Sequence, residues 1–414
     1  MRRFTAFAGA LLTLAGCTES ETRIVGPGAV PGEVAANVVS ETSTDLWARV
    51  ITGETGPGSS YQLFMPRQWN GSTVYYAHGI RDVLEPVSLR DQDGFQALSQ
   101  QLGAQGYAIA QSSFSENGFA LEDAVRRTHQ LRGLFTSQFG RSERSFLVGH
   151  SLGALAVMQL AEQFPGQYDG VVPICGIVGG TQAQLDYVVN TRALFDVFYP
   201  GLLPGAPDAP VAGYILDGAK QAQIIGAVTA NPVGMLVIAS TAQTPLEFTT
   251  SAQLVESLLN ALGYHARGAD NVLSFTNGKF PVSNTDIVYS PRPGLIVPPL
   301  TLPAVTNLLG MVNTQVARFD SDPSAVNWAE KHFNPSGALQ IPTLTLHNRW
   351  DRLVPFFHET MLAARVANAG ATNLLVQRAN PAWGYGHCAI PGSAVVQAIT
   401  DVASWAETGV KPAN

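Results

Sequence analysis

Along most of the chain, short apolar runs of strand length alternate with longer stretches whose apolar residues recur every three or four positions. Residues 61–80 read as a strand, a turn carrying Pro66, Asn70 and Gly71, and a second, mostly buried strand over 73–77 that ends at His78-Gly79. Phe95, Leu98 and Leu102 share one helical face, and Gly103 and Gly106 close that helix before a strand over 107–112. A helix is predicted over 121–139, with Leu121, Val125, Leu131, Leu134 and Phe135 inward and Arg126, Arg127, His129 and Arg132 on the solvated face. The apolar run 145–148 leads into Gly149 and is followed at once by a small, apolar helix over 152–164 and a strand over 171–175. This repeated alternation predicts an α/β fold, a mainly parallel twisted sheet with helices on both faces.

The pattern breaks near residue 181. Leu185, Val188, Val189, Leu194, Phe195 and Phe198 predict an amphipathic helix, and residues 224–228 and 254–262 predict more, joined by Pro- and Gly-rich turns at 200–210 and 291–299. No alternating strand series follows, so 181–340 reads as a large, mostly helical insertion. The sheet pattern resumes at 343–346, with helices over 357–368 and 394–405 and a strand over 373–377. The expected organisation is a core from 61–180 and 341–414, an insertion at 181–340, and a tether with N-terminal strands over 17–60.

Composition narrows the class. Of 414 residues 46% are hydrophobic and 13% charged, the latter against about 25% in an average domain, which excludes a disordered chain. Lys+Arg 24 against Asp+Glu 31 leaves a net charge of −7 and no basic footprint for nucleic acid. Past the N-terminus no run of about 18 apolar residues occurs, so the chain is not read as polytopic.

The first residues form a targeting segment. Arg2 and Arg3 precede an apolar stretch over 4–15, and Leu14-Ala15-Gly16-Cys17 resembles the bacterial lipobox, whose Cys is lipidated and becomes the new N-terminus. The resemblance implies that 1–16 is a signal peptide, that Cys17 carries a lipid anchor into the membrane, and that 18–22 is a tether. Thr18 is not the Asp that retains such proteins at the inner membrane, so an outer-membrane lipoprotein of the bacterial cell envelope is expected. An exported chain can oxidise its two other cysteines, Cys175 and Cys388, so either a disulfide or two buried thiols is open.

The candidate chemistry lies where the predicted strands end. Gly149-His150-Ser151-Leu152-Gly153 fits G-x-S-x-G with a strand before it and a helix after it, the context a nucleophile elbow needs to lift a serine off the sheet. A hydroxyl is a poor nucleophile at neutral pH, so Ser151 needs a base and the base an orienting carboxylate. In the order Ser, Asp, His that this arrangement uses, Asp351 lies in the loop after 343–346, and His387 in the Gly-rich segment Trp383-Gly384-Tyr385-Gly386-His387-Cys388. Asp320 and Asp322 are weaker acids for the role. Among the other histidines, His358 is too near Asp351 in sequence to fold back, His265 and His332 belong to the insertion, His129 to a helix surface, and His150 packs under the elbow. An oxyanion site needs two backbone N–H donors, predicted as Leu152 and Ile80, with Gly79 the alternative for the second. His78 reads as a structural residue bonding that loop.

With these residues the chain resembles serine hydrolases of the α/β-hydrolase superfamily, carboxylesterases in particular, over 61–180 and 341–405. The resemblance implies about eight core strands, a Ser151-His387-Asp351 triad, an acyl-enzyme intermediate and a cap inserted where 181–340 stands. His387-Cys388 is also similar to the tannase and fungal feruloyl esterase group, in which that Cys bonds a Cys just before the nucleophile. Here position 150 is His, so Cys175 is the one partner left to Cys388. There is no H-E-x-x-H, paired C-x-x-C, G-x-x-x-x-G-K-[ST] or strand-end G-x-G-x-x-G, and the triad needs no cofactor or metal. Trp350, Phe356, Trp383, Tyr385 and Phe195 suggest an apolar pocket, and hence neutral, moderately apolar esters, aromatic esters and short polyester oligomers included. A prolyl-oligopeptidase-type peptidase, an acyltransferase and an inert binding lipoprotein are the alternatives. No propeller-like repeat precedes residue 61 to favour the peptidase.

Overall fold

The computed structural model describes residues 37–273 and 275–414. The lipobox reading, with 1–16 and Cys17, lies outside the described residues. The described chain runs β1 (Asn37–Thr42), β2 (Trp47–Glu54), β3 (Ser60–Pro66), β4 (Ser72–Ala77), α1 (Phe95–Ala104), β5 (Ala108–Ser112), α2 (Leu121–Phe139), β6 (Arg144–His150), α3 (Leu152–Gln163) and β7 (Gly170–Ile174). Six helices follow: α4 (Thr181–Phe198), α5 (Gly218–Ala230), α6 (Pro232–Ala239), α7 (Ser251–Leu273), α8 (Leu302–Gln315) and α9 (Pro323–Lys331). The chain closes with β8 (Thr343–Leu346), α10 (Phe357–Asn368), β9 (Leu375–Arg378) and α11 (Gly392–Thr408).

One nine-stranded sheet has the order β1-β2-β3-β5-β4-β6-β7-β8-β9. The pairs from β5 through β9 are parallel, and β1, β2 and β3 join antiparallel at one edge. The sheet therefore has one strand more than expected. The extra one is β1, whose six residues are all exposed, so it carries no apolar alternation and reads from sequence as part of a tether.

The parallel strands from β5 through β8 are buried on both faces, which is why they read as mostly apolar runs, while the edge strand β9 is only partly buried. In β6, Leu147 points into the core shared with α2 and α3, while Phe146 and Val148 point into the core shared with α1 and α11. Between β7 and β8 the chain leaves the sheet to build the cap, 181–340, which among its described residues contains no strand of the sheet and has an apolar core of its own around α4, α6 and α7.

Two surface assignments are corrected. Arg127 is buried (3% exposed) and reaches Asp123 Oδ1 and the Thr55 carbonyl, because the edge strands cover that face of α2. His129 is half-buried, stacked on Phe164 at 4.2 Å and bonded to the Tyr168 hydroxyl at 2.8 Å.

The site lies where strand order reverses. β5 and β6 flank β4 on opposite sides, so the loops after β4 and β6 diverge and leave a crevice at the carboxyl ends of the strands.

Candidate active site

Ser151 occupies the turn between β6 and α3 with φ 53° and ψ −117°, a sparsely populated conformation for a residue with a side chain. The flanking glycines make this turn possible. A Cβ on Gly149 would lie 2.2 Å from the Gly153 carbonyl oxygen, and one on Gly153 would lie 2.2 Å from that of Ala77. The Ser151 N–H donates to the Ile174 carbonyl at 2.9 Å, tying the turn to β7.

Asp351 follows β8 and is fully buried. Its Oδ1 accepts the N–H groups of Leu353 and Val354, both at 2.9 Å, and its Oδ2 accepts the Cys388 N–H at 3.3 Å. His387 Nδ1 lies 2.9 Å from Oδ2 and 3.1 Å from Oδ1. A carboxylate only accepts, so Nδ1 carries the hydrogen and the Nε2 lone pair is left to act as a base. Burial pushes the Asp351 carboxyl up, but His387, His347 and the peptide donors outweigh it and hold the acid below its ordinary value.

The Ser151 hydroxyl and His387 Nε2 are not hydrogen-bonded to each other among the described residues. Nε2 lies 3.6 Å from Cys388 Sγ. Such bonds commonly tighten only with substrate in place. The two residues are nonetheless linked through few atoms, because Ile174, which accepts from Ser151, is followed by Cys175, and Cys175 is disulfide-bonded to Cys388. The open choice at these cysteines is thereby resolved in favour of the bond, which also uses both sulfurs of the cluster Cys175, His387 and Cys388.

The loop after β4 supplies the second wall. The Gly79 N–H donates to Asp93 Oδ2 at 3.1 Å, which turns it away from the nucleophile. The Ile80 and Leu152 N–H groups are free of hydrogen bonds among the described residues, and Leu152 opens α3, where helix N–H groups have no intrahelical partner. A Cβ on Gly79 would sit 3.2 Å from that of Ser151, so the loop passes directly over the nucleophile. Gln92 braces it, donating to the Ile80 carbonyl at 3.3 Å and accepting from Arg81 Nε at 2.5 Å. His78 Nδ1 donates to the Gly79 carbonyl at 2.6 Å, and the ring stacks on Phe114 at 3.8 Å. Burial pushes His78 down to about 4, as it does His150, whose Nδ1 meets the Tyr76 hydroxyl at 3.0 Å, so both are neutral scaffolding.

The rival residues have other work. His358 accepts the Gly179 N–H and bonds Gln184, His265 bonds the Pro207 carbonyl, and His332 bonds the Trp328 carbonyl and Glu122. Asp322 caps α9, and Asp320 accepts the N–H of Ser321.

A cleft of about 570 Å³ opens beside Ile80, walled by Val83, Ile215, Leu216, Leu259, Tyr264 and Leu353. None of the five aromatics expected to form a pocket lines it, and Phe356 instead meets the His347 ring edge-on at 5.9 Å. Phe195 is fully buried in the cap core against Tyr199, because its helical face points inward from α4. Trp350 pairs through its backbone with Tyr385, and Trp383 packs against the core around α11. The Tyr385 hydroxyl donates to the Gln253 carbonyl of α7 at 3.0 Å and lies 2.9 Å from Ser257 Oγ, which makes it a strut between the His387 loop and the cap.

Two further residues escaped the sequence reading. Asn348 Nδ2 donates to the carbonyls of Gly386 at 2.7 Å and Gly384 at 3.3 Å and so fixes the His387 loop to the Asp351 loop. His347 is buried 3.9 Å from Asp351 Oδ2. Neither stands in a motif.

Residues 55–268 match a tannase-like family of unknown function (DUF6351). The chain belongs to this family. No curated protein sequence matches it. Solved structures that the chain matches include the rice cell wall degrading esterase LipA from Xanthomonas oryzae, 12% identical with a TM-score of 0.44, covering 91% of this chain and 97% of that one. Feruloyl esterase B from Aspergillus oryzae is 14% identical with a TM-score of 0.45, over 91% of this chain and 88% of that one. The strand order, the elbow after β6 and the helices on both faces make the fold an α/β-hydrolase fold in its own right.

Proposed function

We propose that this member of the tannase-like family is a serine carboxylic-ester hydrolase. The observation that carries the reading is the placement of Ser151 at a strained elbow with a buried Asp351 paired to His387, and with two N–H donors beside it that are unengaged among the described residues. In this mechanism His387 Nε2 takes the Ser151 proton as Oγ attacks the ester carbonyl carbon, and the oxyanion is met by the N–H groups of Ile80 and Leu152. Collapse expels the alcohol, which leaves with the proton from His387. Water then attacks the acyl-enzyme by the same route and restores Ser151.

The cleft beside Ile80 supports neutral, moderately apolar esters. It has an aliphatic side, Ile80, Val83, Ile215, Leu216, Leu259 and Leu353, and on its polar side two of the arginines are cancelled by acids: Arg267 lies 2.8 Å from Asp82, and Arg352 is paired with Glu256. Cell-envelope placement through a lipidated Cys17 belongs to the same proposal, and mass spectrometry of the N-terminal peptide tests it.

The hydrolase reading is tested with p-nitrophenyl esters from acetate to laurate and aminoacyl p-nitroanilides, on the protein and its Ser151→Ala variant. Ester turnover that disappears in the variant, with anilides untouched, is expected. Anilide turnover would move the assignment to a peptidase, and no turnover of either would end the hydrolase reading.

A further inference from the structure

Behind the triad acid lies a second pair of ionisable groups that the reaction itself does not use. His347, the first residue after β8, is fully buried, and Glu359, on α10, is 3% exposed. We propose that Glu359 and His347 form an ion pair that positions and charges the triad from behind, with His347 held as an imidazolium beside Asp351. The proposal rests on the hydrolase reading for its role in catalysis, and on hydrogen-bond valence for its charge.

The valence argument starts at Nε2, 2.8 Å from the Val354 carbonyl, which can only accept, so Nε2 bears a hydrogen. Nδ1 faces Glu359 Oε1 at 3.3 Å, and one proton must lie between them. The other oxygen of Glu359, Oε2, accepts from the Thr345 hydroxyl and from Gln377 Nε2, both at 2.5 Å. With Oε2 filled by two donors and Oε1 facing the ring, every contact of Glu359 is one that a carboxylate accepts, which assigns the proton to Nδ1. Both ring nitrogens are then protonated.

The groups facing this imidazolium are accounted for on every side. From α10 come Glu359 and His358, the latter kept neutral by burial. From its own loop comes Asp351 Oδ2 at 3.9 Å, with His387 beyond it. From the cap comes Glu247, which is 2.8 Å from Arg292 and within electrostatic reach of Arg349. Burial alone would make His347 neutral, but the hydrogen bond and charge of Glu359, with Asp351 behind them, hold it above its ordinary value. Charges therefore alternate from Glu359 through His347 to Asp351, and a fully buried Asp351 stays ionised to receive the imidazolium that forms at His387. Glu359 and His347 are positioning residues, since neither touches the reacting atoms.

Two measurements test this. In the whole protein carrying 15N-labelled histidine, both His347 nitrogens should report as protonated at pH 7, with the signal assigned by its loss in His347→Gln. A non-protonated nitrogen there overturns the proposal, whether or not the protein turns over esters. In Glu359→Gln, His347 loses its counter-charge and becomes neutral, and Asp351 and His387 lose a nearby cation. The acid limb of the kcat/KM profile then moves up by about 0.5–1 pH unit, with kcat several-fold lower and KM little changed. A merely structural role would lower Tm and leave the limb in place, as would a neutral pair with the proton on Glu359, and an unmoved limb in the folded variant overturns the proposal. The double variant His347→Gln/Glu359→Gln, in which no charge is stranded, gives the same limb shift where the single variant fails to fold. Protonated nitrogens in a protein without ester turnover would instead sink the hydrolase reading and leave the ion pair standing.

Discussion

Cys388, the residue after His387, is disulfide-bonded to Cys175, the residue after Ile174, whose carbonyl accepts the Ser151 N–H. The bond spans 213 positions of sequence and fastens the base loop to the strand beside the nucleophile. His387 itself stands in a glycine-rich loop, with Gly386 at φ 136°, so its position depends on such ties. Reduction is therefore expected to lower kcat by about 10- to 100-fold, the scale of a misplacement near 1 Å, with activity returning on reoxidation. Turnover is measured before and after reductant while mass spectrometry follows alkylation of Cys175 and Cys388. Full kcat with both thiols alkylated would show that the bond does not hold the base.

The loop over Ser151 is tight against an added methyl group. Alanine at position 79 would bring a Cβ 3.2 Å from both the Ser151 Cβ and Asp93 Oδ2, and relieving that contact by a few tenths of an ångström shifts the loop carrying the Ile80 N–H relative to the oxyanion. Gly79→Ala is expected to lose about 10²-fold in kcat, the scale for one oxyanion donor, with KM and Tm near those of the unaltered protein. Steady-state kinetics on p-nitrophenyl acetate decides it. An unchanged kcat would remove Ile80 from the oxyanion site.

Much of this site was legible because its constraints are local. The elbow needs glycines at 149 and 153, a strand before and a helix after, and all of these stand within a few residues of Ser151. Asp351 and His387 could be placed because each follows a recognisable strand into a loop. Side chains whose environment is set by distant segments were misplaced. Arg127 looked solvated because nothing near it in sequence announces the edge strands that cover it, and Phe195 looked like a pocket wall because the inward face of α4 is defined only by the cap helices packed on it. His347 and Glu359 escaped for the same reason, since a buried ion pair between a loop and the next helix has no spacing rule.

The aliphatic wall of the cleft gives a size test. Leu259 stands on α7 facing the cavity of about 570 Å³ beside Ile80. Leu259→Trp should leave p-nitrophenyl acetate turnover within about twofold and cut kcat/KM for the laurate ester about tenfold or more, because only the longer chain competes for the filled volume. The ratio across chain lengths is the readout. A uniform loss for all esters would mean that the acyl chain lies elsewhere.

Stability should fall steeply in mild acid. Burial pushes His78, His150 and His265 each down to about 4, whereas in the unfolded chain they take up protons near pH 6.5. The unfolded state therefore binds more protons between these values, and the stability these residues provide is complete above about pH 6.5 and lost as pH falls toward 4, at about 1.4 kcal/mol per pH unit for each. Asp186 works in the opposite sense, since burial raises it to about 6 and the folded state keeps its proton where the unfolded state has lost it. His347, held above its ordinary value, opposes the trend near and above pH 6.5, where the unfolded chain is still taking up its proton, and that contribution fades at lower pH. His358, which burial also holds well below its ordinary value, adds to the loss, and the net expectation between pH 6.5 and 5 is about 2–4 kcal/mol per pH unit, read from urea unfolding midpoints at pH 7.5, 6.0 and 5.0. His150→Gln keeps a polar group against Tyr76 and should flatten the slope by one proton. A midpoint that holds steady or rises on acidification would show that these imidazoles titrate inside the fold.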